Sequence, residues 1–176
     1  MIDGLRLTPA RARALIDELE DRLAAAGVRA TIRIAGGAAM ALRFPDDPDL
    51  RVTMDVDAVY APRADVDRVI ADMAREHGLP GEWMNSAGAA WNIVNDTGAT
   101  ISVATPEELI AMKMAAGRPQ DLVDLRILAD HLGITDPRRL VELAYAGYGD
   151  DSAALSDPRE SYELFARDVL RPRRGR

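Results

Sequence analysis

The segment RVTMDVDAVY, residues 51–60, constrains the fold more than any other part of this chain. Its residues alternate between apolar and polar, which predicts a β-strand with one buried face and one polar face. The two faces consist of Val52, Met54, Val56 and Ala58, which are predominantly apolar, and of Thr53, Asp55 and Asp57. A chain that contains such a strand must place it in a sheet covered on one side, so the strand favours a protein of mixed helices and strands.

The two carboxylates of this strand predict a metal site. Residues two positions apart on a strand lie roughly 7 Å apart at their Cα atoms, so the side chains of Asp55 and Asp57 can converge on one ion. Like charges at that distance repel, and a divalent cation such as Mg²⁺ (or Mn²⁺) removes the repulsion. The alternative is an edge strand, whose exposed charges only prevent pairing with other chains.

A second feature is the sequence IAGGAA, residues 34–39, in which a predicted strand over residues 28–35 runs into two glycines and a short helix. Glycine lets the backbone approach a phosphate group closely, and a helix N-terminus offers N–H donors to it. With the strand at 51–60, this gives a strand–helix–strand arrangement in which Gly36 and Gly37 are expected to share a cleft with the two Asp residues. A Gly-Gly pair is also typical of an ordinary turn.

The third feature is a single lysine. The 176 residues include 22 basic ones, of which 21 are Arg and one is Lys113. Thr105 and Glu108 form a capping box that predicts the start of the helix carrying Lys113. Because an ammonium and a guanidinium are not interchangeable, we expect Lys113 where Arg does not fit, partly buried against a carboxylate or a phosphate. The alternative is a surface lysine whose alkyl stem lies along apolar side chains.

The residues after that helix, GRPQDLVD, contain Arg118 and two acids, Asp121 and Asp124, one turn apart at the start of another predicted helix. Acids in the first turn of a helix commonly interact with the helix dipole alone. Their significance therefore depends on what they face.

Composition excludes several classes of function. There is no cysteine, which excludes disulfides, thiolate zinc sites and cysteine nucleophiles, and the only histidines are His77 and His131. No apolar run approaches the roughly 20 residues that span a bilayer, and the charged N-terminus is unlike a secretory signal, so we expect a cytoplasmic protein without membrane contact. The formal net charge of −7 argues against a general nucleic-acid coat.

These patterns predict one α+β domain over residues 1–176, with a small mixed sheet, flanking helices and C-terminal helices. The motifs occupy a core of residues 28–133, a helical part follows at 134–170, and residues 171–176 form a basic tail. Two further short strands, at 91–94 and 99–104, are expected to form a hairpin around residues 95–98.

In the order Gly-Gly, T-x-D-x-D, helical Lys and R-x-x-D-x-x-D, residues 34–132 resemble the minimal nucleotidyltransferase superfamily. Within it, the chain is similar to the AbiEii-like and MenA-like nucleotidyltransferase toxins of bacterial toxin–antitoxin systems. The resemblance implies a sheet like the palm of DNA polymerase β. It also implies transfer of a nucleoside monophosphate from a nucleoside triphosphate (NTP) to an acceptor, such as tRNA, and a cognate antitoxin as partner.

The resemblance assigns a role to each motif. Asp55 and Asp57 would hold Mg²⁺, Lys113 would neutralise phosphate, and Asp121 would act near the attacking hydroxyl. The implied nucleotide-binding residues are Gly36, Gly37, Thr53 and Arg118.

There are departures from the pattern. Gln120 stands where these toxins have the Lys of R-x-K-D, and the strand at 100–103 lacks the third acid that many superfamily members carry. Two alternatives therefore remain open, a catalytically degenerate module that binds a nucleotide or a partner, and a purely structural interaction protein.

Overall fold

A computed structural model of the chain describes residues 7–50, 53–86, 100–149 and 152–172. The described residues form seven α-helices and one four-stranded mixed sheet, so the predicted α+β class is confirmed. The chain divides into two compact units, Met1–Ala104 and Thr105–Arg176. The boundary between them falls within the predicted motif core of residues 28–133, and the single domain over residues 1–176 stays a prediction.

The first unit contains the sheet and three helices. Its elements are α1 (Pro9–Ala25), β1 (Thr31–Ile34), α2 (Gly36–Arg43), β2 (Val56–Ala61), α3 (Arg63–His77), β3 (Met84–Ser86) and β4 (Ile101–Val103). The strand order is β3-β2-β1-β4. β1 pairs antiparallel with β2 and parallel with β4, and β2 pairs parallel with β3. β2 is therefore an inner strand, and the proposal that its acids only protect a sheet edge is wrong.

Alternation along the inner strands places the core of this unit. Ile32 and Ile34 of β1 and Val56 and Ala58 of β2 are fully buried. The register pairs Ile34 with Ala58, so both strands present their apolar residues to one face of the sheet. α1 packs against α2 and α3, and α2 and α3 both contact β2.

The strand predicted over residues 51–60 is shorter than expected. β2 begins at Val56, while Thr53 makes an isolated antiparallel bridge to Leu7 and residues 54–55 form a bend. Met54 is 52% exposed, so its predicted place on the buried face is wrong. The reason is that the bend interrupts the strand alternation between Thr53 and Val56. Arg51 and Val52, like the predicted strand at 91–94 and its hairpin turn, lie outside the described residues.

The second unit consists, in its described part, of four helices: α4 (Pro106–Ala116), α5 (Asp121–His131), α6 (Pro137–Tyr148) and α7 (Arg159–Val169). The capping box of Thr105 and Glu108 is present at the start of α4, as predicted. α4 packs against α5 and α6, and α7 covers α5 and α6. A Cβ on Gly147 of α6 would lie 2.8 Å from Cβ of Ala111, so glycine lets α6 approach α4 closely.

Candidate functional site

Gly36 lies directly against Asp57. Because β1 and β2 are antiparallel neighbours, the end of β1 lies beside the start of β2, and the Ala35 N–H donates to the Asp57 carbonyl at 2.8 Å. Gly36 has a φ of +59°, which disfavours any residue with a Cβ. An ideal Cβ there would also overlap Oδ2 of Asp57 and lie 3.0 Å from its Cβ. The glycine thus allows the backbone at the start of α2 to approach the carboxylate.

Gly37 stands in the same relation to Thr53. A Cβ on Gly37 would lie 3.1 Å from Oγ1 of Thr53, closer than most real contacts of this kind. The Thr53 hydroxyl donates to the Asp55 carbonyl at 2.8 Å, and the Thr53 carbonyl accepts from the Leu7 N–H at 3.0 Å. These two bonds fix the threonine at the bend that precedes β2, next to Gly37.

Asn85 connects the bend that carries Asp55 with the sheet face that carries Asp57. Asn85 is the register partner of Asp57 in the parallel pair β2–β3, so both side chains point to the same face. Its Nδ2 donates to Oδ2 of Asp55 at 2.9 Å. The opposite face carries the buried pair Val56 and Met84. Both acids are half-buried. The convergence of their carboxylates on one ion stays a prediction.

This donor set fits Mg²⁺ bound together with a phosphate substrate. Among the described residues there is no group of three or more His, Asp or Glu side chains that could enclose a metal ion. Mg²⁺ keeps several water ligands and is commonly held by one or two carboxylates plus substrate phosphates. Asp55 and Asp57, with the backbone cleared by Gly36, match that mode and not a cage made by protein alone.

In the second unit, a short turn brings the ends of two helices together. α4 ends at Gly117, whose φ of +57° suits glycine, and its N–H donates to the Lys113 carbonyl at 3.0 Å. α5 begins at Asp121, only four residues later. The last turn of α4 therefore lies beside the first turn of α5, and Lys113 faces the two acids.

Lys113 forms a buried ion cluster with Asp121, Asp124 and Arg118. Its Nζ lies 2.5 Å from Oδ2 of Asp124 and 3.3 Å from Oδ1 of Asp121. Arg118 donates to both oxygens of Asp121, from Nε at 2.8 Å and from Nη2 at 3.2 Å. Two cations and two carboxylates balance in charge, which such burial requires. The expectation that Lys113 is buried against a carboxylate is confirmed, and the surface alternative for Lys113 is wrong.

The members of this cluster differ in exposure. The side chains of Lys113 and Asp121 are 7% and 1% exposed, whereas that of Arg118 is 57% exposed. Burial by itself raises the pKa of Asp121, but the hydrogen bond from Arg118 and the charges of Lys113 and Arg118 outweigh it, so the pKa lies below its usual value. Asp121 is therefore a stable anion that holds the exposed guanidinium in a fixed direction.

Comparison with known families identifies the family of this chain. Residues 73–174 match the family described as nucleotidyl transferase AbiEii toxin of type IV toxin–antitoxin systems, which is more than half of the sequence. The chain belongs to the AbiEii family. The resemblance recognised in the motif order is thereby confirmed, and the family is one of nucleotidyltransferase toxins. No curated protein and no solved structure matches the chain.

The match divides the motifs of this AbiEii-family chain into two groups. It covers Lys113 and the acids of α5, and it begins after Gly36, Gly37 and the T-x-D-x-D segment. The structure brings together Gly36, Gly37, Thr53, Asp55 and Asp57 within the first unit, and Lys113, Arg118 and Asp121 within the second.

Sequence reasoning missed the part played by two residues. The sequence shows Asp124 as the last acid of the R-x-x-D-x-x-D motif at a helix start, whereas its contact with Lys113 depends on how α5 packs against α4. Asn85 had no signal, because β3 is three residues long and no alternation can be recognised over so short a strand.

Among the described residues, no helix has the length and apolar character needed to cross a membrane.

Proposed function

We propose that this AbiEii-family protein is an Mg²⁺-dependent nucleotidyltransferase that moves a nucleoside monophosphate from an NTP to an acceptor hydroxyl. The observation that carries the proposal is the contact between Gly36 and Asp57. It clears the backbone at a helix start directly beside a carboxylate pair. A triphosphate with its metal needs both features next to each other, N–H donors for phosphate oxygens and carboxylates for the ion.

In the first unit, the start of α2 binds phosphate in this proposal. Its N-cap is Ala35, which offers no side chain to the first N–H groups of the helix. Those groups, at Gly36 and Gly37, donate to the triphosphate tail, and the Thr53 hydroxyl lies beside them. Asp55 and Asp57 hold Mg²⁺ (or Mn²⁺), which when bound neutralises phosphate charge and polarises the reacting phosphate.

The resemblance implies further roles for residues of the second unit, and we propose them for this chain: Arg118 binds the nucleotide, Lys113 neutralises phosphate, and Asp121 acts near the attacking hydroxyl. The lowered pKa of Asp121 makes this carboxylate a weak base. Its side chain is 1% exposed and accepts hydrogen bonds from Arg118 and Lys113, so it acts by holding these cations in place. Phosphoryl transfer depends on positioning and charge more than on a special nucleophile.

The proposed reaction balances without a covalent enzyme intermediate. The acceptor hydroxyl oxygen forms a bond to the α-phosphorus, and the bond from that phosphorus to the bridging oxygen of pyrophosphate breaks. Pyrophosphate leaves, and the hydroxyl proton passes to solvent. The acceptor that we propose is tRNA, as the resemblance implies, and the toxin–antitoxin family supports an antitoxin protein as the partner.

A second candidate function is a nucleotide-binding or partner-binding module without catalysis. Gln120 in place of a lysine, and the absence of an acid from β4, favour it. Binding would then persist without transfer.

One experiment separates these functions. The purified protein is incubated with Mg²⁺, each α-labelled NTP in turn and total RNA, and both incorporation of label and retention of NTP are measured. We expect incorporation that is lost in Asp55→Asn and retained in Asp72→Asn, a matched exposed carboxylate of α3. Retention without incorporation favours the binding module. If neither is found with any NTP, or if Asp55→Asn behaves as the wild type, the proposal is wrong.

A further inference from the structure

Asn85 of β3 belongs to none of the assigned motifs, yet it contacts one of the two acids. Its side chain donates from Nδ2 to Oδ2 of Asp55 at 2.9 Å, and it lies opposite Asp57 in the strand register. No motif of the resemblance includes it. Its contact with one acid and its register with the other raise the question of what the amide does there.

The direction of Asn85 is fixed by the packing of its strand. Trp83, directly before β3, is fully buried, and its indole N–H donates to the Ile70 carbonyl of α3 at 3.1 Å. The Val56 N–H donates to the Trp83 carbonyl at 2.8 Å, and Met84 is buried opposite Val56. Since Met84 points into the core, the next residue points to the other face. Asn85 is thus held toward Asp55 by the two buried residues that precede it.

The amide suits an accessory role at a cation site. Its N–H group can donate to a carboxylate without adding a further negative charge between Asp55 and Asp57, whereas its carbonyl oxygen is a ligand type that Mg²⁺ accepts. A carboxylate has about four lone-pair positions on its two oxygens, so one bond from Asn85 leaves room for an ion. Groups that orient ligating carboxylates in this way commonly change metal affinity by about 10- to 100-fold when removed.

We infer that Asn85 is a positioning residue for the metal site, which holds the carboxylate of Asp55 in the orientation that binds a divalent cation beside Asp57. This inference rests on the proposed function of the two acids. It adds β3 to the strands that form the site. β4, in contrast, contributes no acidic residue to the site.

The test measures Mn²⁺ binding directly, in the whole protein and without nucleotide, by titration followed with electron paramagnetic resonance. The variants are Asp57→Asn, Asn85→Ala and, as the matched control on the same strand, Ser86→Ala, whose side chain belongs to the opposite face. We expect Asp57→Asn to lose specific Mn²⁺ binding, Asn85→Ala to bind at least about tenfold more weakly, and Ser86→Ala to bind as the wild type.

A second measurement separates positioning from a merely structural role. Because Asn85→Ala loses the donor to Asp55, we expect Mn²⁺ to raise the Tm of this variant by less than it raises the Tm of the wild type. A structural role alone would lower the Tm by the same amount with and without Mn²⁺, and that result would overturn the inference.

The outcomes distinguish the two levels of the argument. If the wild type does not bind Mn²⁺, or if Asp57→Asn binds it equally well, the metal site itself is wrong and the inference falls with it. If the wild type binds and Asp57→Asn does not, while Asn85→Ala binds with unchanged affinity, the metal site stands and the role of Asn85 is wrong.

Discussion

Gly36 and Asp57 are packed so closely that any side chain at position 36 would displace the carboxylate. The backbone of Gly36 is left-handed, and its ideal Cβ would overlap Oδ2 of Asp57. One glycine therefore meets two demands, a φ that disfavours other residues and an approach that excludes a methyl group. This pair connects the Gly-Gly motif to the T-x-D-x-D motif in space.

The first prediction separates these two demands. Gly78 has nearly the same φ, +62° against +59°, but a Cβ there meets no atom within 4 Å. Gly78→Ala should cost only the backbone strain, about 1–2 kcal/mol. Gly36→Ala should cost about 1–3 kcal/mol more, because Asp57 must move, and should also abolish Mn²⁺ binding. Urea unfolding and Mn²⁺ titration of both variants check this, and equal losses in the two variants would contradict it.

The second prediction concerns Gly37. Its conformation is open to other residues, and a Cβ would meet only Thr53, at 3.1 Å from Oγ1 and 3.4 Å from Cβ. Gly37→Val should therefore weaken NTP binding more than it lowers stability, because the added side chain blocks the approach of phosphate to the backbone. The measurement compares the NTP dissociation constant with the free energy of unfolding. Parallel losses of both would favour a plain turn at this position.

The third prediction concerns the buried ammonium of Lys113. Lys113→Met removes the ammonium that faces Asp121 and Asp124. Breaking a buried ion pair in this way lowers the free energy of unfolding by about 3–5 kcal/mol. Lys113→Arg keeps the charge but must fit a forked group into the same space, at a cost of about 1–3 kcal/mol. Both are measured by urea unfolding.

An activity assay separates the contribution of Lys113 to catalysis from its contribution to stability. Assayed below their unfolding temperatures, both variants should lose about 2.7–4 kcal/mol of transition-state stabilisation, the size associated with one lost charge-stabilising donor. The double variant Lys113→Met with Asp124→Leu serves as control, since it should recover stability but not transfer. Full transfer by folded Lys113→Arg would refute a role for the ammonium.

The fourth prediction follows from the lowered pKa of Asp121. A carboxyl whose pKa is lower in the folded state stabilises the fold above its ordinary value of 3.8, and this contribution is lost as the pH falls through the folded pKa. The wild type should thus exceed Asp121→Asn in free energy of unfolding by a constant amount above about pH 5. The difference should shrink below pH 3.8. Urea unfolding across this range checks it, and a difference independent of pH would be evidence against it.

Much of the second unit follows from local sequence. The Thr105 and Glu108 capping box, Pro106 in the first turn and Gly117 at the end define α4, because each satisfies backbone groups within a few residues. Asp136 and Pro137 similarly predict the start of α6. Signals of this kind do not depend on distant contacts, so they can be recognised in a single sequence.

The strand that carries the acids was only partly predictable. Alternation over residues 51–60 correctly gives the buried Val56 and Ala58, but not the bend that exposes Met54. That bend is accompanied by a bond from Thr53 to the backbone of Asp55 and by a bridge to Leu7, 46 positions away in the chain. The local alternation of apolar and polar residues cannot reveal a partner so distant in the sequence.

The sequence by itself determined the residue types that the chemistry requires: a glycine pair, two acids two positions apart, one lysine and an arginine with two acids. Only the tertiary structure decided what each of them faces. Asp57 meets Gly36 because β1 and β2 are antiparallel neighbours, and Asn85 meets Asp55 because β3 pairs in parallel with β2. Lys113 meets Asp124 because α5 turns back on α4. The physical reason is that motif chemistry is encoded position by position, whereas contacts depend on strand register and helix packing, which many distant residues set together.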